Sequence, residues 1–151
     1  MNEKVLVSAC LLGAPCRFDS RHCKDGVLER QFAREGLEPV PFCPEEHGGL
    51  GTPRPSSWIE RSSAADVLDG RDRVVSAEGE DVTPQFLRGA LGALEQCRSL
   101  GLKRAFLKER SPSCGTCQTH VDGVRVEGPG VTTELLRRHG IEVTGVEGRR
   151  E

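Results

Sequence analysis

Apolar positions in this chain fall into short runs and helical repeats, punctuated by glycine, proline and charge. Lys4–Ala9 (KVLVSA) is a Val-rich run of the kind that forms a strand buried on both faces. In Gly26–Glu35 the apolar Val27, Leu28 and Phe32 recur at helical spacing, and Gly36 follows as a C-terminal cap. Leu37–Phe42 (LEPVPF) reads as a second strand, and its two prolines place it at a sheet edge. Pro44–Ser57 reads as a Gly/Pro-rich loop, and Asp66–Ser76 as a hairpin turning at Asp69-Gly70. Thr83 then reads as the N-cap of a helix with Pro84 in its first turn. Phe86, Leu87, Ala90, Leu91, Leu94 and Cys97 carry that helix to Leu100, before Gly101. Arg104–Lys108 is a third strand, Thr119–Val126 a small hairpin around Asp122-Gly123, and Thr132–His139 a short helix capped by Gly140. Glu134 and Arg138 sit four apart on that helix, a pair worth about 0.3–0.5 kcal/mol. Ile141–Val146 is the fourth strand, and the following EGRRE is expected to fray.

Strands alternating with helices predict an α/β fold: a single Rossmann-like domain over residues 1–151, with a mainly parallel central sheet, helices on its faces and small β-hairpin insertions. Charge and composition add exclusions. With 36% hydrophobic residues, 29% charged residues and a net charge of −2, the chain has the balance of a globular protein and no global basic field, so no stable nucleic-acid complex is expected. No stretch approaches the ~18 apolar residues of a membrane helix. The first apolar run is too short for a signal peptide, so the expected location is cytoplasmic and no membrane partner is expected.

The seven cysteines change the picture: Cys10, Cys16, Cys23, Cys43, Cys97, Cys114 and Cys117. An odd number without a secretory signal disfavours a disulfide framework and favours metal binding or catalysis. Cys10 follows the first strand, Cys43 the second, and Cys114 comes six positions after the end of the third. Ligand crevices of parallel sheets lie beyond the carboxyl ends of the strands, so three cysteines from distant segments converge there. Three soft donors suit a thiophilic metal. Tetrahedral zinc needs a fourth ligand, for which Cys117, Cys16 and His47 are available. A zinc-binding structural or interaction module would use Cys114, Cys117 and two of Cys10, Cys16 and Cys43. An iron–sulfur cluster held by three cysteines keeps one iron open to substrate. A third reading makes Cys114 and Cys117 a redox pair. Cys97 lies on the apolar helix face and is expected in the core, and Cys23 in a polar loop is expected to be exposed or half-exposed.

The blocks VSACLLGAPCRFD, PFCPEEHGGLGTPRP, KERSPSCG and GVTTELLRRHGIEV together resemble the thiouracil desulfidase family over nearly the whole chain. The resemblance implies a [4Fe–4S] cluster on Cys10, Cys43 and Cys114, and non-redox removal of sulfur from a thiolated uracil, giving uracil or UMP and hydrogen sulfide. It assigns Glu45 as the base that activates water and Ser111 as a hydrogen-bonding partner of pyrimidine or water, with Glu46 and Ser113 beside them. Phe18 and Ser20 depart from the Tyr and Gly of the family's C-R-Y-D-G stretch, Cys117 lies outside its pattern, and Cys16 matches without a cluster role. The second domain fused to longer relatives is missing, so a free base or nucleotide is the expected substrate partner. Gly128–Thr133, opening a helix, is a candidate phosphate cradle together with Arg17 or Lys108.

Overall fold

The structure is a computed structural model that describes residues 2–111, 113–115 and 118–150. A parallel sheet runs in the order β2 (Leu37–Phe42), β1 (Glu3–Ser8), β5 (Arg104–Lys108), β8 (Glu142–Val146). Its inner strands are the two unbroken apolar runs, and both faces of each are covered. Val5 and Val7 of β1 and Phe106 of β5 pack with Leu28 and Phe32 of α1 (Gly26–Glu35). Leu6, Ala105 and Leu107 point the other way, onto Ala93 and Leu94 of α4 (Thr83–Leu100) and Leu136 of α5 (Val131–Arg138). The Pro-containing β2 is an edge strand, as its sequence requires. The fold is thus α/β with a mainly parallel central sheet flanked by helices.

Segments from the two expected hairpins contribute strands to a second sheet, ordered β4 (Val74–Ser76), β3 (Ser57–Ile59), β6 (Gln118–Val121), β7 (Val124–Glu127). Gln118–Glu127 does form the hairpin around Asp122-Gly123. The Asp66–Ser76 hairpin does not exist. Ser63 accepts the Asp66 N–H at 3.1 Å and caps a short helix, α3 (Ala64–Leu68), which buries Ala64 and Val67 at helical spacing. Val74–Ser76 then pairs antiparallel with β3, at the end of the segment read as a loop, and Ile59 joins this pair to Val121 of β6. That loop also contains a helical turn, α2 (Pro44–His47).

Thr83 does not cap α4. Val82 occupies the cap, Asp81 accepts the Thr83 N–H at 2.9 Å, and Thr83 Oγ1 accepts the Val74 N–H at 2.9 Å, tying α4 to the second sheet. The Glu134–Arg138 pair forms at 3.4 Å, and Arg138 also reaches Asp69 at 2.9 Å. The tail is not frayed at residues 147–150. Arg149 N–H donates to the Cys23 carbonyl, Gly26 N–H donates to the Arg150 carbonyl, and Arg150 Nε pairs with the fully buried Asp25 at 2.7 Å. Among the described residues, no helix is long and apolar enough to cross a membrane.

Candidate active site at the carboxyl end of the parallel sheet

Where β1, β2 and β5 end, the chain leaves a cavity of about 520 Å³, a size suited to a small ligand. Cys10, Cys43, Glu45, Ser111 and Cys114 all line it, although they come from three distant segments. Cys10 sits in a 3-10 turn, Ala9–Leu12, immediately after β1. Gly13 closes that turn with φ 103°, a conformation that side chains resist, and its N–H donates to the Cys10 carbonyl. Cys43 is the N-cap residue of α2, so the turn of helix that follows β2 carries Glu45 with it.

Cys114 is placed by a different device. Its N–H donates to Ser111 Oγ at 2.6 Å, and its carbonyl accepts from Thr133 Oγ1 at 2.8 Å. The buried hydroxyls of Ser113 and Thr132 meet at 2.6 Å. N–H groups at the start of α5 donate to the same loop: Gly130 to the Gly115 carbonyl, Thr132 and Thr133 to that of Ser113. These amides hold the cysteine loop, Thr132 and Thr133 are fully buried, and the segment does not line the cavity. The start of α5 is therefore no phosphate cradle. Cys117, the partner in the redox and zinc readings, lies outside the described residues.

Cys16 also lines the cavity and sits among the other thiols. Cys10 and Cys43 stand beside it and hold the Cys16 thiol far below the usual thiol range, and Cys43 Sγ donates to the Cys16 carbonyl at 3.8 Å. These two neighbours are correspondingly shifted upward, Cys10 by Cys16, Cys23 and burial, and Cys43 by Cys16 and burial. Ligand atoms of Cys16, Cys43 and Glu46 lie within 4.8 Å of one another. Cys23, expected in solvent, is 1% exposed: the loop folds back so that Cys23 N–H meets the Cys10 carbonyl at 2.8 Å, and the tail covers it. Cys97 is 1% exposed in the core, as its helix position predicts. Burial lifts the Cys114 thiol to about 11, with the Glu45 charge adding to the shift.

Burial pushes the Glu45 carboxyl upward, while Arg54 pulls the other way. Arg54 Nε and Nη2 both approach Glu45 Oε2 at 2.9 Å. The same guanidinium donates to the carbonyls of Cys16 and Gly51 at 3.1 Å and to Thr52 Oγ1 at 3.0 Å, and Thr52 Oγ1 donates to Glu46. Arg54 stands in the TPRP stretch and carried no role in the sequence reading. The available signal was an arginine on the glycine- and proline-rich loop that follows a cysteine and two glutamates. Of the far wall, the sequence showed only the hairpin around Asp122-Gly123 and not its place beside the cavity. Trp58 of β3, His120 of β6 and Arg125 of β7 line the cavity from the second sheet, and the rim carries Arg17, Lys108 and Arg110.

Three comparisons with known proteins follow this geometry. A family described as 2-thiouracil desulfurase matches residues 5–147. An uncharacterized protein, YbbK, of Bacillus subtilis (strain 168) is 35% identical over 142 residues, covering 92% of this chain and 93% of its own. A solved structure titled "[4Fe-4S]-dependent thiouracil desulfidase TudS" superposes with a TM-score of 0.79 at 43% identity, covering 95% of this chain and 91% of that one.

Proposed function

Because the chain belongs to the 2-thiouracil desulfurase family, we propose that it is an iron–sulfur desulfidase that replaces the sulfur of a thiolated uracil by oxygen and releases hydrogen sulfide. The convergence of Cys10, Cys43, Cys114, Glu45 and Ser111 on one cavity carries this reading. The donor set fits a [4Fe–4S] cluster: Cys10, Cys43 and Cys114 are free thiols in a cavity with room for both cluster and base, and Arg17 and Lys108 line the same cavity. When bound, such a cluster supplies an iron without a protein ligand, a soft Lewis acid for a thiocarbonyl sulfur.

The chain's own residues do the rest. Glu45 takes a proton from water, the hydroxyl adds to the ring carbon that carries the sulfur, and the C–S bond breaks. Carbonyl oxygen thereby replaces sulfur; the proton held by Glu45 and the proton shed by the added hydroxyl both leave with the sulfide, so one water in and one hydrogen sulfide out balance the step. Arg54 fixes the carboxylate at two donors and leaves Oε1 for the water. Ser111 Oγ accepts from the Cys114 N–H and lines the cavity beside the Cys114 thiol, where its hydroxyl serves ring or water once that sulfur is a cluster ligand. Arg17 and Lys108 at the rim and Arg125 on the far wall favour an anionic substrate, so 4-thiouridine monophosphate is preferred to the free base.

The test is anaerobic reconstitution followed by iron, sulfide and zinc analysis, with hydrogen sulfide release measured from 2-thiouracil, 4-thiouracil and 4-thiouridine monophosphate. About four irons per chain and sulfide release are expected, both lost in Cys114→Ser. One tight zinc with no sulfide release would replace this reading with a metal-binding module on the Cys16, Cys43 and Glu46 group.

A further inference from the structure

The second sheet buries one face and shows the other to the cavity. Ile59, Val74 and Val121 pack into the core beneath it, with Val126 against them. Strand alternation turns their neighbours outward, and the register sets Trp58 opposite Val75 and His120 opposite Arg125. Trp58, His120 and Arg125 thus share the face that closes the cavity opposite the cysteine wall. Two phenylalanine rings also line the cavity, and both are engaged elsewhere. Phe42 packs on His47 with ring centres 5.0 Å apart, and Phe18, 40% exposed at the rim, lies 5.9 Å from the Arg17 guanidinium. Trp58 has no ring or cation partner among the described residues, and it is half-buried on a strand held from both sides by β4 and β6. A planar base entering between the cysteine wall and the second sheet meets this indole as its aromatic platform.

We infer that Trp58 is the stacking residue for the pyrimidine ring and sets the preference for a planar base; the inference rests on the desulfidase reading above. Trp58 is the single tryptophan and the chain has no tyrosine, so intrinsic emission reports this one position. The experiment titrates UMP, the sulfur-free product, into cluster-loaded protein without oxygen while following that emission. In parallel, turnover of 4-thiouridine monophosphate is measured for wild type, Trp58→Ala and Trp58→Phe. A saturable emission change is expected, with a midpoint equal to the inhibition constant of UMP. Trp58→Ala should raise KM about 5- to 150-fold, the range of base–aromatic stacking, with kcat changed less than about threefold, and Trp58→Phe should restore most of the loss. Inhibition by UMP without an emission change would overturn the inference, as would an unchanged KM in a folded Trp58→Ala. If wild type releases no sulfide, the desulfidase reading fails; the UMP titration still decides whether Trp58 meets a pyrimidine.

Discussion

Arg54 serves four acceptors with one guanidinium: the Glu45 carboxylate, the carbonyls of Cys16 and Gly51, and the Thr52 hydroxyl. Its side chain is 7% exposed and that of Glu45 17%, so the charges need each other. Arg54→Ala should lower unfolding free energy by about 3 kcal/mol, read by urea denaturation, and slow sulfide release about a hundredfold. Arg54→Lys cannot reach all four acceptors and should recover stability better than rate. Glu45→Gln should lower kcat by about 10²–10⁴-fold with iron content unchanged. A third prediction concerns pH. Burial alone lifts the Cys97 thiol from 9.0 to about 11. The unfolded chain therefore loses this proton first, so the thiol costs nothing below pH 9 and costs stability between pH 9 and about 11. The slope of unfolding free energy over that window should be shallower in Cys97→Ala than in wild type. At this scale the sequence disclosed most of the cavity's cysteines, because each follows a strand. Cys16 and Cys23 escaped because their environment comes from a loop that folds back onto the Cys10 turn, and no local pattern encodes that return.

Among the elements, α2 is the piece that carries Cys43 and Glu45, and its position is set by contact with α4. A Cβ on Gly89 would stand 2.1 Å from the Pro44 carbonyl oxygen, and one on Gly48 2.0 Å from that of Gln85. These are backbone contacts and cannot yield cheaply. At Gly92 the obstacle is the exposed His47 ring, 2.3 Å from the added carbon, which can swing away. Gly89→Ala should therefore destabilise by about 1–3 kcal/mol and reduce iron loading by displacing Cys43. Gly92→Ala should be neutral or gain up to about 1 kcal/mol from helix propensity; thermal denaturation and iron content separate the two. The long elements were legible because each buries a regular stripe: α1, α4, β1 and β5 match their expected spans within a residue or two. The three-residue strand β3 was not, since SWI is too short to show a period; VVS was expected as a strand but with the wrong partner, because its pairing skips a whole helix.

For the molecule as a whole, α4 ties the two sheets together. Phe86 and Ala90 in its first half pack under the second sheet, and Ala93, Leu94 and Cys97 in its second half pack on the parallel sheet. Neither sheet keeps its core without this helix, so urea unfolding followed by Trp58 emission and by far-ultraviolet circular dichroism should give coincident midpoints. Trp58 emission moving first would mean that the second sheet opens on its own. The α/β class was readable from element order, yet the second sheet, and with it one wall of the cavity, depends on pairing between segments more than sixty residues apart, which periodicity does not report. The pinned tail has a consequence for biosynthesis. The carboxylate of Asp25 finds its cation on a residue made 125 positions later, and the loop holding Cys23 against Cys10 is covered by that same tail. On a ribosome, the early cysteines are translated long before the strands and tail that enclose them, and they wait as reduced, unshielded thiols. The wall around Cys10 and Cys23 is therefore complete only once residues 149 and 150 have been made.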